Sequence, residues 1–139
     1  MKMELAIACL LSASFLPAVL AVSPEEKEAI LAGIKRASVI VVGTTHSSTM
    51  GGGGTTTGFR ISDTLVGQSF IKERKDIVVF HWHHGRGGAQ GISPGPFIWF
   101  LQPHGDSDAF KELTSSKYSF VKSTPENIAF VKQNLPTTK

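Results

Sequence analysis

The sequence predicts a mainly β domain: a small five-stranded antiparallel barrel flanked by an N-terminal and a C-terminal helix. Three observations predict it. Five runs of apolar and β-branched residues, each short enough for a strand, are separated by glycine-rich or polar segments. Helix-start signals occur near the two ends, and the runs between them show no alternation of strand and helix. A closed barrel leaves no open sheet edge, and an open sheet with a helix packed on one face is the alternative.

Residues 1–21 have the features of a secretory signal peptide: a positively charged start, a long apolar run and a small residue, Ala21, at the end. Cys9 is the chain's only cysteine and would be lost with this segment. The mature chain, residues 22–139, would then have neither a disulfide nor a cysteine nucleophile. We therefore expect one exported domain, periplasmic or extracellular, with no membrane span after cleavage.

Two stretches carry helix-start signals. Ser23 and Thr124 are good N-cap residues, each is followed by a proline that suits the first helical position, and Glu26 completes a capping box with Ser23. Apolar residues then recur at helical spacing, so both helices should dock on a core. The docking residues are predicted to be Ile30, Leu31 and Ile34 in the first helix and Ile128, Val131 and Leu135 in the second.

The five predicted strands differ in character. They cover residues 38–45, 59–67, 76–84, 96–102 and 117–123. The fourth is so apolar that it should be central in the sheet. In the second, Phe59, Ile61 and Leu65 share one face, and Asp63 would intrude on that face unless a β-bulge turns it outward. The glycine- and threonine-rich segment 46–58 is predicted to be a mobile loop.

The third strand sets the orientation of a histidine cluster. Side chains alternate between the faces of a strand, so Val78, Phe80 and Trp82 fall on one face, and the aromatic residues make it the predicted core face. His81 and His83 then lie side by side on the other face with Ile77 and Val79.

Five histidines are candidate metal ligands. Two imidazoles at positions i and i+2 of a strand can converge on one ion, and a third or fourth ligand would have to come from elsewhere in the chain. Such a set suits Zn²⁺, Cu²⁺ or Ni²⁺. The candidates are His81, His83, His84, His46 and His104. The alternative interpretation is a polar strand end whose histidines meet water, with no cofactor.

Four segments together resemble the bacterial exported netrin-like domains, which have an OB-type barrel similar to that of tissue inhibitors of metalloproteases. The segments are "ASVIVVGTT", "FRISDTLVG", "IVVFHW" and "GPFIWFL". The resemblance implies an OB-type barrel over residues 37–121. Netrin-like inhibitors rely on disulfides and on an N-terminal cysteine that chelates zinc, so the absence of cysteine from the mature chain means that only the fold carries over.

Charge and motifs argue against two other function classes. The net charge is +3 and the basic residues are dispersed, which is unlike the basic stripe of a nucleic-acid-binding surface. The segment "GISPG" matches G-x-S-x-G, but the residue after Ser93 is Pro94, which has no N–H for an oxyanion hole. We therefore expect a non-catalytic domain that binds a protein or glycan partner at a loop-rich barrel end built from residues 45–57, 81–88 and 103–108. The alternative is a periplasmic or secreted metal-binding protein.

Overall fold

A computed structural model describes residues 22–51, 54–82, 94–105, 109–112 and 119–137. The predicted signal peptide, His83 and His84 lie outside these residues. The elements are α1 (Pro24–Arg36), β1 (Val39–Gly51), β2 (Gly54–Val66), the single-turn α2 (Gln68–Ile71), β3 (Asp76–Trp82), β4 (Gly95–Pro103), β5 (Phe110–Glu112), β6 (Phe120–Lys122) and α3 (Pro125–Asn134). None of the helices in these ranges is long and apolar enough to cross a membrane.

Five strands close a barrel in the order β1-β2-β3-β5-β4 and back to β1, as expected of an OB-like fold. β3 and β5 pair in parallel, and the other neighbours in the ring are antiparallel. The predicted mainly β barrel with flanking helices is confirmed, but the prediction that all of its strands pair antiparallel was wrong. A closed ring with an odd number of strands must contain at least one parallel pair, because directions cannot alternate all the way round.

The last two strands share one edge of β4. β5, which the sequence analysis did not identify, pairs with the end of β4, and β6 pairs with the beginning of β4 at Phe97–Trp99. The predicted fifth strand corresponds to β6, outside the closed ring. β4 is central, as predicted, because it pairs with β1 on one side and with β5 and β6 on the other.

β1 and β2 form one long hairpin, and here the prediction of a mobile loop over 46–58 was wrong. The two strands stay paired from Ile40 and Val66 out to Gly51 and Gly54. Threonine is β-branched and favours extended backbone, and the hydroxyls of Ser48 and Thr57 lie 3.0 Å apart across the hairpin. The hairpin therefore continues beyond the barrel's apolar core.

The core has two layers, because β1 and β4 bury both of their faces. Inside the barrel, Val39 and Val41 pack with Trp99 and Leu101. On the opposite face, residues of the same two strands pack beneath α1 and α3; these are Ile40, Val42, Ile98 and Phe100. A strand buried on both faces reads as a continuous apolar run, which is the pattern of residues 96–102.

The predicted core face of β3 was wrong. Ile77 and Val79 are buried inside the barrel, whereas Val78 is 42% exposed and Phe80 is partly exposed. The barrel interior already contains the large rings of Phe59 and Trp99, so β3 contributes compact β-branched side chains to it. Phe80 lies on the outer surface.

A bulge in β2 explains the position of Asp63. The pairing with β1 shifts register between Val42 and Gly43, where Ser62 has no partner of its own. Asp63 is exposed, so the predicted β-bulge that turns this carboxylate away from the core is confirmed.

Both helices start as predicted. The Glu26 N–H donates to Ser23 Oγ and the Asn127 N–H donates to Thr124 Oγ1, each at 3.2 Å. Ile30 and Val131 are fully buried, and Ile34, Ile128 and Leu135 pack beside them. Leu31 is the exception, because at 42% exposed it lies on the outer side of α1.

Candidate ligand-binding groove

A groove of about 710 Å³ crosses the outer face of β2 and β3. The β1–β2 hairpin forms one wall, and His104 and Ala109, which lie between β4 and β5 in the chain, form the other. The lining residues are His46, Ser47, Thr49, Thr56, Gly58, Arg74, Asp76, Ile77, Val78, Phe80, His104 and Ala109.

Strand register sets the pattern of side chains across the groove. Ser47 pairs with Gly58, which pairs with Val78, and one step further Thr49, Thr56 and Phe80 form a second row. Residues two apart on a strand share a face, so both rows lie on the outer surface. The hairpin side of the groove is therefore rich in hydroxyls, and the β3 side is apolar.

An aromatic pair forms the apolar part of the groove. The Phe80 ring and the His104 imidazole have centroids 4.8 Å apart and are tilted by 36°. The backbone N–H of His104 donates to the carbonyl of Ala109 at 3.0 Å, and Gly105, at φ 58°, occupies the left-handed region that favours glycine. This turn holds His104 against β3, and both rings are partly exposed to the groove.

Asp76 is the polar centre of the site. Arg60 Nε and Nη2 donate to Asp76 Oδ1 and Oδ2 at 3.1 and 3.0 Å, a bidentate pair between directly opposed residues of β2 and β3. His46 Nε2 lies 3.5 Å from Asp76 Oδ1. The hydrogen bonds from Arg60 hold the pKa of the Asp76 carboxyl below its ordinary value, and the same pair raises the pKa of Arg60.

Gly58 makes room for the approach of His46 to Asp76. A Cβ at position 58 would lie 2.7 Å from His46 Cε1 and 2.5 Å from Ser47 Oγ. His46 has no partner of its own in the ladder, because the register shifts between Thr45 and Ser47. The bulge in β1 and the missing side chain on β2 together let the imidazole cross β2.

Arg74 borders the groove, and its guanidinium donates hydrogen bonds to backbone carbonyls. Its Nε donates to the carbonyl of Ile71 at 3.2 Å, and its Nη2 donates to that of Phe70 at 2.6 Å. The guanidinium also lies over the Phe110 ring, 5.2 Å from its centroid. This side chain ties the α2–β3 turn to β5.

The structure places the predicted histidines unequally. His46 and His104 line the same groove from opposite walls. His81 follows Phe80 in β3, and its backbone pairs with Thr55. Among the described residues, no group of three side chains is arranged to hold a metal ion. His83 and His84 lie outside these residues, so the five-histidine metal set stays a prediction.

Sequence reasoning missed the partners of these histidines. Arg60, Asp76 and Phe80 are dispersed along the chain, and none of them was predicted as a site residue. Strand register brings Arg60 opposite Asp76, and the turn after β4 brings His104 to Phe80. Side chains alternate along β3, so Phe80 could have been predicted as a surface residue. This failed because the wrong face of β3 was assigned to the core.

The chain matches no protein-family model, and no curated protein is significantly similar to it.

Proposed function

We propose that this chain is an exported, non-catalytic binding domain whose ligand site is the groove across β2 and β3. The observation that carries the proposal is the convergence on one concave surface of an aromatic pair, the Asp76 carboxylate held by Arg60 and a row of hydroxyls. Binding sites combine mostly apolar walls with a few fixed polar groups in this way.

The position of the groove supports this function. OB-type barrels bind ligands on the face of their second and third strands, between the β1–β2 and β4–β5 connections. The groove has the same boundaries, with His46 and Thr49 from the hairpin and His104 from the second connection. A fold permits many functions, so the side chains of the groove carry more weight than the analogy.

The size of the groove indicates the kind of ligand. A volume of about 710 Å³ is within the range of small-molecule sites, roughly 300–1,000 Å³. Protein partners generally dock on broader surfaces of about 800 Å² on each side. The partner classes predicted from the sequence are a protein and a glycan. A compact ligand, or one end of a longer chain, fits the groove better than a protein surface does.

The test maps where small probes bind. Amide spectra of protein produced from the full chain are recorded while a library of uncharged fragments is added. We expect the largest shifts at Val78, Phe80 and His104, and their loss in a Phe80→Leu variant. The matched control is Leu31→Ala, which removes an exposed apolar side chain from α1. Fragments that shift only α1 and α3, or none that shift the groove, would refute the proposal.

Export is tested separately. The full chain and a chain beginning at Val22 are expressed in bacterial cells, which are then fractionated. We expect only the full chain in the periplasm or medium, shortened by its leader. Full-length protein retained in the cytoplasm would remove "exported" from the proposal and leave the groove unaffected.

A metal site is the second candidate function, and one observation favours it. His46 and His104 border one groove, and His81 and His83 follow Phe80 closely in the sequence. Zn²⁺, Cu²⁺ or Ni²⁺ would suit such imidazoles. Calorimetric titration with each ion should give stoichiometric binding that is lost in a His81→Ala/His83→Ala variant. Weak binding that this variant does not change would exclude the metal site.

A further inference from the structure

We propose that the ligand of the groove is an uncharged glycan. The inference rests on the proposed function, because it assumes that the groove is the binding site, and it names the chemistry of what binds there. Three features carry it: the aromatic platform of Phe80 and His104, the polar cluster around Asp76, and the hydrogen bonds that the nearby arginines make within the chain.

The aromatic platform fits one face of a sugar ring. Phe80 and His104 are partly exposed and form a tilted pair beside the exposed Val78. A pyranose presents C–H groups on one face, and these pack against an aromatic ring, whose face carries partial negative charge. A ligand lying on Phe80 would therefore be covered on one side without the loss of any hydroxyl's hydrogen bonds.

The polar cluster fits neighbouring hydroxyls. Arg60 holds both oxygens of the Asp76 carboxylate in place, and His46 adds a third planar group. Each carboxylate oxygen has lone pairs beyond the one that Arg60 uses, so Asp76 can still accept from a hydroxyl. Ser47, Thr49 and Thr56 add groups that both donate and accept. A sugar hydroxyl both donates and accepts hydrogen bonds and therefore suits this mixture of groups, whereas an anion only accepts and needs donors alone.

The use of the cations argues against a phosphate or a nucleic acid. Arg60 directs Nε and Nη2 at Asp76, and Arg74 directs Nε and Nη2 at two backbone carbonyls. Nucleic-acid sites depend on basic side chains that neutralise phosphates. The Asp76 carboxylate also lines this groove and would repel an anion.

The experiment compares ligand classes on one protein. Amide shifts and calorimetry are recorded for the full chain with hexasaccharides of β-1,4-glucose, β-1,4-N-acetylglucosamine and α-1,4-glucose, and with oligothymidylate. We expect at least one hexasaccharide to shift Val78, Phe80 and His104, and its affinity to be unchanged between about 50 and 200 mM salt. Phe80→Leu keeps an apolar side chain, and Asp76→Asn keeps the shape of the carboxyl. Each should weaken binding by about tenfold or more, whereas Leu31→Ala should not.

The outcomes separate the two proposals. Binding of oligothymidylate at the groove, falling steeply with salt, would overturn the glycan and leave the groove as a binding site. Groove shifts with fragments but with none of the three hexasaccharides would do the same. If neither fragments nor hexasaccharides shift the groove, both proposals fail.

Discussion

At the scale of single residues, Asp76 connects three strands. It lies in β3, and its carboxylate contacts Arg60 from β2 and His46 from β1. Its pKa lies below the ordinary value mainly because it accepts hydrogen bonds from Arg60. An Arg60→Met variant should raise that pKa, and carboxyl carbon shifts followed against pH would measure it. Lys75→Met, which removes the cation next to Asp76 in the sequence, is the control. An Asp76 pKa that is equal in both variants would contradict the assignment.

The same pair predicts how stability depends on pH. A carboxyl whose pKa is lower in the folded chain contributes stability above its unfolded pKa, and that contribution disappears as the pH falls through the folded value. Wild-type protein should therefore be more stable than Arg60→Met at neutral pH, and the difference should vanish in acid. Both partners are exposed, so the difference should be small. Urea unfolding at several pH values checks this, and a difference that grows in acid would refute it.

Gly58→Ala should alter the site without unfolding the domain. The added methyl would meet the outer atoms of His46 and Ser47, two exposed side chains that can move. We expect the free energy of unfolding to change by less than about 1 kcal/mol, while nuclear Overhauser contacts of the His46 ring across β2 are lost. Gly95→Ala is the matched control, because a Cβ there would make only ordinary contacts, at 3.5 Å or more. A His46 that stays in place in Gly58→Ala would contradict the proposed role of Gly58.

The residues of the site were predictable only in part. His46 and His104 stand out because an imidazole can bind metals and can both donate and accept hydrogen bonds. Arg60 and Asp76 look like ordinary charged residues near strand ends. What brings them together is the β2–β3 register, and the register shift between Thr45 and Ser47 that lets His46 approach them has no signal in the local sequence.

Among the elements, the long hairpin is the least predictable. Four consecutive glycines at 51–54 indicate a turn, and they do connect β1 to β2. The serines and threonines on both sides have too little hydrophobicity to show an alternating pattern. Their backbones pair across the hairpin nevertheless, since β2 also pairs with β3 from Gly54 to Arg60. Pairing on both sides of β2 thus outweighed the polar composition.

The buried side-chain amide of Asn127 connects α3 to α1 and to β6. Asn127 Nδ2 in α3 donates to Glu26 Oε2 of α1 at 2.6 Å and to the carbonyl of Lys122 in β6 at 2.9 Å. Asn127→Ala would remove both of these partly buried hydrogen bonds, at a cost of about 1–3 kcal/mol. Asn134→Ala is the control, because Asn134 makes an exposed bond within α3. Equal unfolding midpoints in urea for the two variants would show that the bridge contributes no stability.

For the whole molecule, composition and order predicted the fold class well. The continuous apolar runs of β1 and β4 arise because these strands are covered by the barrel interior on one face and by the helices on the other. Helix caps are local and were therefore readable. The parallel β3–β5 pair was not, because β5 is only three residues long and its partner is set by ring closure.

The docking of α1 on the barrel depends on one close approach, and it gives the last prediction. At Gly33 a Cβ would lie 2.5 Å from the Phe100 ring, which is fully buried. Unlike His46, this ring cannot move into solvent. Gly33→Ala should therefore lower the free energy of unfolding by about 1–3 kcal/mol, although alanine favours a helix more than glycine does.

The matched control is Ala32→Gly, which reverses the change one position along α1, on a partly exposed face. Its cost should be the helix-propensity difference of about 1 kcal/mol. Gly33→Ala should cost less in a Phe100→Leu background than in wild type, because that exchange removes the ring that the methyl meets. If Gly33→Ala is instead more stable than wild type, helix propensity outweighs the close contact, and α1 can rise from the barrel without loss of packing.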